Sequence, residues 1–474
     1  MQTNLCGRFR CFQIKTSKAA LVVKNTYFLI ARRQHMNSPE TIKQLLLEDI
    51  DSLVKHPELF AKNPEKDFTR TRKLPAKKTI LFQIGMERDS INRELLKYFD
   101  YDLDVPSVSA FYQQRKKLKA DTFSRLFHTF NSHFRPTLYR DKYIPVAVDG
   151  SAFNMFRDPE NKETFRPPNG QTKLGYSEIF VVAAYQLLDK VFTGAVIKPS
   201  RIKNEYTAIC GIMDRHDNSH GIPLFLADRG FPSYNCFAHA KEKNAAFLIR
   251  AKDDYVTRLL RGDKPDSDEF DLSVDRIIVR HKRKKQYLHP EHGDRYRYVD
   301  ANTSFDFIEH GKQDEYGLHL RIVRIKIKDG VYENLITNLS PEEFCANDLK
   351  ELYRLRWDEE ISFRELKHIL GAADFHSKIV EYVSHELWAR LILYNFCSQI
   401  TGLAVINKKD RKHTYQVNFT MAYQTCREFL RRNTQESEFE VLALIEKYIL
   451  PVRHDRKYER NKLFQRPMTF TYRH

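Results

Sequence analysis

Between residues 143 and 251, short apolar runs and amphipathic segments alternate in an order that few folds accommodate. YIPVAVD (143–149), EIFVVAAYQLL (178–188) and KVFTGAVI (190–197) read as buried strands, the last two joined by a tight turn at Asp189. NEYTAICGIMDRH (204–216) has helical spacing, and IPLFLAD (222–228) is another buried strand. A helix over 233–242 and a fifth strand, AAFLIRA, complete the series.

Three strands, a helix, a strand, a helix and a strand is the order of an RNase H-like core. The expected fold class is therefore α/β, a mixed sheet flanked by helices. Residues 251–340 turn to charged, alternating strands such as LHLRIVRIKIK and VYENLITNL, which predict a β-rich insertion whose most basic run is RHKRKK (280–285). Before the core, TIKQLLLEDIDSLV and INRELLKYFD carry apolar residues at helical spacing. The expected organisation is a basic extension (1–35), a helical domain (36–140), a first core segment (141–250), the insertion (251–340), a second core segment (341–400) and a basic helical C-terminal region (401–474).

Lys and Arg outnumber Asp and Glu by 79 to 62, a formal charge of +17, which favours a polyanionic partner and nucleic acid first. In SVSAFYQQRKKLKADTFSRLFHTF, Ser107 or Ser109 can cap a helix whose basic face, Arg115, Lys116, Lys117 and Lys119, sits beside Phe111 and Tyr112. That face is the candidate DNA contact, against the plainer reading of a solvated basic helix. The first 35 residues hold seven Lys or Arg and no acid, and a Ser-Pro-Glu helix start follows Met36, which suggests Met36 as the natural start. The seven cysteines are scattered without a C-x-x-C pair and read as reduced thiols of a cytoplasmic protein. The run ALVVKNTYFLIA is broken by Lys24 and Asn25, so no membrane anchor is expected.

Two apolar strands stop on an aspartate with glycine close behind, VAVDG at Asp149 and FLADRG at Asp228. A carboxylate on a rigid buried strand is held still, which a metal site needs; either residue alone also reads as a turn or cap aspartate. YRLRWDEEISFRELK (353–367) supplies a third acid. Capped by Asn347 or Asp348 and ended by Gly371, this segment reads as one helix of roughly 23 residues. At about 100° per residue, Tyr353, Arg356, Glu360 and Lys367 fall within roughly a 60° stripe. Leu352, Leu355, Phe363, Leu366, Ile369 and Leu370 form a separate packing arc. Asp358 and Glu365 point away from the stripe, while Glu359 falls on the apolar arc without an evident reason. An Arg356–Glu360 ion pair explains two of the four stripe residues and leaves Tyr353 and Lys367 unexplained.

The spacing Y-x2-R-x3-E-x6-K, with Asp149 and Asp228 upstream, resembles the signature of the bacterial insertion-sequence DDE transposases of family four. The resemblance implies that Asp149, Asp228 and Glu360 form a metal-holding catalytic triad for two Mg²⁺ ions, with Mn²⁺ as a substitute. It implies that Tyr353, Arg356 and Lys367 contact DNA phosphates, and that a helical N-terminal DNA-binding domain precedes the RNase H-like core. It further implies DNA partners, the terminal inverted repeats and a target duplex, and a homodimer in a synaptic complex on nucleoid DNA. The C-terminal helices after Tyr382 are the candidate interface. Trp357 and Trp388 both lie in helices, so neither answers to the family's flipped-base pocket in the insertion.

Such a site would use water to free a 3′-OH at the element's end, and that 3′-OH to attack the next strand. A stand-alone nuclease of the same fold would share the triad without strand transfer, and a relic would bind DNA without cutting. No P-loop, Gly-rich dinucleotide turn or Cys/His cluster supports a nucleotide or zinc enzyme.

Overall fold

The computed structural model describes residues 38–70, 72–169, 172–202, 204–261, 265–281, 295–369, 374–406, 414–432 and 440–452. The 1–35 extension, most of RHKRKK, Gly371 and the basic tail lie outside them.

The chain opens with helices α1 (Pro39–Val54), α2 (Pro57–Phe60), α3 (Ala76–Gly85), α4 (Ile91–Tyr98), α5 (Val108–Arg115) and α6 (Thr122–Ser132). Their starts follow local chemistry. Ser38 accepts from the Thr41 amide with Pro39 in the first turn, and Ser107 accepts from the Ala110 amide at the head of α5.

The middle of the chain forms strands β1 (Tyr143–Met155), β2 (Phe165–Arg166), β3 (Tyr176–Gln186) and β4 (Val191–Pro199). Helix α7 (Glu205–Arg215), β5 (Ile222–Ala227), α8 (Tyr234–Glu242), β6 (Ala246–Ala251) and α9 (Asp253–Leu260) follow. The next strands are β7 (Phe270–Val279), β8 (Tyr296–Tyr298), β9 (Glu315–Lys328) and β10 (Val331–Thr337). These strands lie in one mixed sheet, ordered β2-β3-β1-β5-β6-β10-β9-β7-β8, with β4 also on β3. β4, β3 and β1 are antiparallel neighbours, while β5 and β6 run parallel to β1. The 251–340 strands extend this sheet through the antiparallel β6–β10 pair.

The two faces of the sheet carry different cores, because successive residues of a strand alternate sides. Ile144, Val146 and Val148 pack with α7 and α8, whereas Tyr143, Ala147 and Phe153 join the core of the N-terminal helices. The latter face also receives α10 (Ala346–Arg354), α11 (Trp357–His368) and α12 (Val380–Thr401). The chain then adds a ribbon of β11 (Tyr415–Val417) and β12 (Ile449–Pro451), with α13 (Phe419–Arg431) and α14 (Val441–Lys447) between them.

Helix α12 is buried nearly all round and runs through the larger core, with Leu391, Ile392, Leu393 and Phe396 at 1 % exposure or less. Most of the α12 surface is therefore taken up inside its own chain, which leaves α13 and α14 among the C-terminal helices expected as an interface. No helix among the described residues is long and apolar enough to cross a membrane.

The sequence reading needs two corrections. β1 continues past Asp149 to Met155, because β3 pairs with it over Val146–Met155. The single helix expected from about 347 to 371 is two helices, since Leu355, Arg356, Asp358 and Glu359 make i→i−3 backbone bonds that tighten the chain at the junction. Neither Asn347 nor Asp348 is its N-cap; the cap is Cys345, whose amide donates to the Asp348 carboxylate at 3.0 Å.

Candidate active site

The parallel pairing of β1 with β5 ends at Val148 opposite Ala227, so Asp149 and Asp228 are the next residues of two adjacent strands. Each carboxylate is braced by its own loop or strand. Asp149 accepts from the Gly150 amide and Asp228 from the Gly230 amide, both at 2.7 Å. By the alternation of β1, Asp149, Ser151 and Phe153 share the face on which α11 lies.

Helix α11 brings Glu360 and Lys367 to that face, and the junction before it brings Arg356. Arg356 Nη2 donates to Glu360 at 2.8 Å, and its Nη1 stands 4.0 Å from Asp149. Lys367 donates to the Ser151 hydroxyl at 2.7 Å, with its ammonium 4.8 Å from the centre of the Phe153 ring. The structure thus gathers Asp149, Asp228, Arg356, Glu360 and Lys367.

Tyr353 lies on the buried side of this group, its ring 5.7 Å from the Arg356 guanidinium. It is 3 % exposed, and its hydroxyl has no hydrogen-bond partner. Trp357 and Ile361 are exposed beside the site. Asp358 and Glu365 point elsewhere as expected, the latter accepting from the Tyr394 hydroxyl at 2.8 Å.

The electrostatics record the crowding of acids. Burial pushes the Asp149 carboxyl up to about 6, and the charges of Asp228 and Glu360 add to that rise against the pull of the Gly150 amide and Arg356. Burial opposes the charge on Arg356, but Tyr353, Glu360 and Asp149 hold the proton more firmly. Burial lowers Lys367, with Asp149 and Glu178 acting the other way.

Carboxylates are the hard oxygen donors that a small divalent cation takes, and their mutual repulsion gives such an ion a charge to neutralise. Among the described residues, no group of three or more His, Cys, Asp or Glu side chains stands as a ready metal-holding set. The donor chemistry fits, while Glu360 is engaged by Arg356.

Sequence reasoning gave no role to three residues here. Ser151 was legible as the same-face neighbour of Asp149 at strand period two. Gly150 has no room for a side chain, because a Cβ there would sit 2.6 Å from the Phe180 ring. Glu359 is fully buried, and its carboxylate oxygens have no side-chain hydrogen bond, with the Asp149 backbone amide facing them. Burial first, and then Asp149, drives the Glu359 carboxyl well above its ordinary range.

The expected basic face of α5 is only partly a surface. Arg115 is 2 % exposed and pairs with Glu386 of α12 at 3.1 Å, which removes it from the DNA contacts. The helix turns that side inward to pack Phe111 and Gln114. Lys116 is exposed past the helix end, Lys117 donates to Gln114 at 2.9 Å, and Lys119 donates to the Glu58 carbonyl. Lys117 also lines a cavity of about 440 Å³ with Lys66, Arg70 and Arg72.

The transposase DDE domain family matches residues 140–396. The chain is similar to the transposase InsG for insertion sequence element IS4 of Escherichia coli strain K12, 22% identical over 338 residues covering 69% of this chain and 70% of that one. A cryo-EM structure of the piggyBac transposase synaptic complex with hairpin DNA aligns with this chain at 10% identity and a TM-score of 0.43, over 87% of this chain and 84% of that one.

Proposed function

This chain belongs to the transposase DDE domain family, and on that premise we propose that it is the transposase of an insertion sequence of the IS4 type, acting on its own terminal inverted repeats. It is a DNA transposase, an enzyme of a family that is generally divalent-metal dependent. Asp149, Asp228 and Glu360 are the proposed ion-holding acids of an RNase H-like core, a reading supported by the β4-β3-β1-β5-β6 strand order. Two Mg²⁺ ions, replaceable by Mn²⁺, would supply a polarised water and a stabilised leaving oxygen for in-line displacement at phosphorus.

The protein's own part is placement and charge. The rigid parallel pair carries Asp149 and Asp228 on adjacent strands, and α11 carries Glu360 near enough for its charge to act on Asp149. Lys367, held by Ser151, and Arg356 place positive charge beside the acids where phosphates would lie. Tyr353 backs Arg356 from within the core, its ring 5.7 Å from the guanidinium. Lys116, Lys117 and Lys119 are the proposed DNA contacts of the N-terminal helices, together with the basic cavity at Lys66, Arg70 and Arg72. Synapsis of two element ends by a homodimer, acting on nucleoid DNA in the cytoplasm, completes the reading.

The observation that carries it is the placement of Asp149 and Asp228 on adjacent strands, with Glu360 near enough to raise the Asp149 carboxyl. The test is cleavage of a labelled duplex bearing the element's terminal repeat, in Mg²⁺ or Mn²⁺. Wild type is expected to nick at the repeat's 3′ boundary and to join the freed 3′-OH to a second strand. Asp149→Ala, Asp228→Ala and Glu360→Ala are expected to bind the duplex and leave it uncut. Full cleavage by any one of them removes that residue from the site.

A further inference from the structure

Glu359 has no part in the chemistry above, yet it is an acid where the packing of α11 asks for an apolar residue. It is 0 % exposed, and its carboxylate oxygens have no side-chain hydrogen bond, the Asp149 backbone amide facing them short of a full one. A buried polar group left in this way costs about 1–3 kcal/mol, and more if charged. Asp149 and Asp228 repel it, while Arg356 attracts it.

Arg356 is incomplete in the same place. One terminal nitrogen bonds Glu360 at 2.8 Å and the other stands 4.0 Å from Asp149, but its buried Nε has no partner. Glu359 and Glu360 follow Arg356 at i+3 and i+4, so one turn of helix offers the guanidinium two carboxylates. It is bonded to Glu360, and the acids do not stand as a ready metal-holding set.

We propose that Glu359 is a positioning residue of the ion site, the alternative partner that takes the Arg356 guanidinium when Glu360 turns to a divalent ion. The inference rests on the reading of Asp149, Asp228 and Glu360 as the ion-holding acids. The exchange gives the Arg356 Nε and the Glu359 carboxylate each a side-chain partner, replaces one charge-assisted hydrogen bond by another and frees Glu360. Glu359 acts only through Arg356.

The test is Mn²⁺ binding to the full chain without DNA, followed by the electron paramagnetic resonance of free Mn²⁺. Wild type, Glu359→Gln, Arg356→Gln and the double variant form a cycle. Glu359→Gln is expected to weaken Mn²⁺ binding by about 10-fold, the lower end for residues supporting metal ligands. On the Arg356→Gln background the same change is expected to do nothing, because no guanidinium remains to be held aside.

Metal-free Glu359→Gln should melt at or above the wild-type temperature, which a purely structural acid would not allow. Glu359→Leu, suited to the apolar surroundings, repeats the measurement if the Gln variant does not fold. Unchanged Mn²⁺ affinity in Glu359→Gln overturns the proposal, as does an equal loss in both backgrounds. Failure of the underlying reading looks different: wild type would show no saturable Mn²⁺ binding, or Asp149→Asn would bind as wild type does.

Discussion

Lys367 donates to Ser151 at 2.7 Å, joining the last residue of the Tyr-Arg-Glu-Lys stripe to the strand that carries Asp149. The bond crosses from α11, which carries the third acid, to β1, which carries the first. Ser151→Ala is expected to cost about 1 kcal/mol of stability, the worth of one hydrogen bond. Lys367→Met should cost DNA cleavage far more than stability, since it also removes the cation beside Asp149. Parallel melting and cleavage assays check both, and equal proportional losses in the Met variant would leave Lys367 as a brace alone.

Gly150 is a packing requirement of the same strand. A Cβ would meet the tip of the Phe180 ring at 2.6 and 2.7 Å, and that ring is itself packed in the core, 8 % exposed. Gly150→Ala is expected to destabilise by about 1–3 kcal/mol, as overpacking does. Phe180→Leu introduced with it should recover much of that loss, and thermal melting of the three variants decides.

Arg115 and Lys116 are adjacent in sequence and opposite in consequence. Removing Arg115 leaves Glu386 buried without one of its partners, so Arg115→Ala should cost about 3–5 kcal/mol. Lys116→Ala should leave melting unchanged and lower the salt dependence of DNA binding by about one phosphate contact. Binding isotherms across salt concentrations, beside melting curves, separate the two.

Glu386 also predicts how the helical layers respond to acid. Burial would raise its carboxyl, but His376, Arg390 and Arg115 outweigh burial and pull it down to about 2. A carboxyl lowered in the folded state contributes stability above its unfolded pKa and loses it as pH falls toward the folded one. Stability should therefore drop between about pH 4.5 and 2, and Glu386→Gln should be weaker at neutral pH with a flatter acid limb. Burial lowers His376 while Glu386 raises it further, so its contribution is complete below its unfolded pKa and lost as pH rises through the raised one. Denaturant titrations across pH read both limbs.

The sequence by itself determined the strand and helix order of the core, the two strand-borne aspartates and the stripe of Arg356, Glu360 and Lys367. These are patterns of period two and of about 3.6 residues, and local periodicity survives into the fold because each element must bury one face. It also carried the family signature, since Y-x2-R-x3-E-x6-K is a local spacing. What depended on contacts between distant segments was hidden. β1 runs on past Asp149 because β3 is there to pair with it. Arg115 turns inward because Glu386, 271 residues away in the chain, waits in α12. The helix expected to be continuous tightens at Leu355 and Arg356, and Tyr353, in the helix before that junction, is packed in the core. Glu359 was visible as an acid on an apolar arc, but its meaning required seeing Arg356 bonded to its neighbour and Asp149 beside it. Periodicity assigns a residue to a face of its own element; only the packing of elements decides what that face meets.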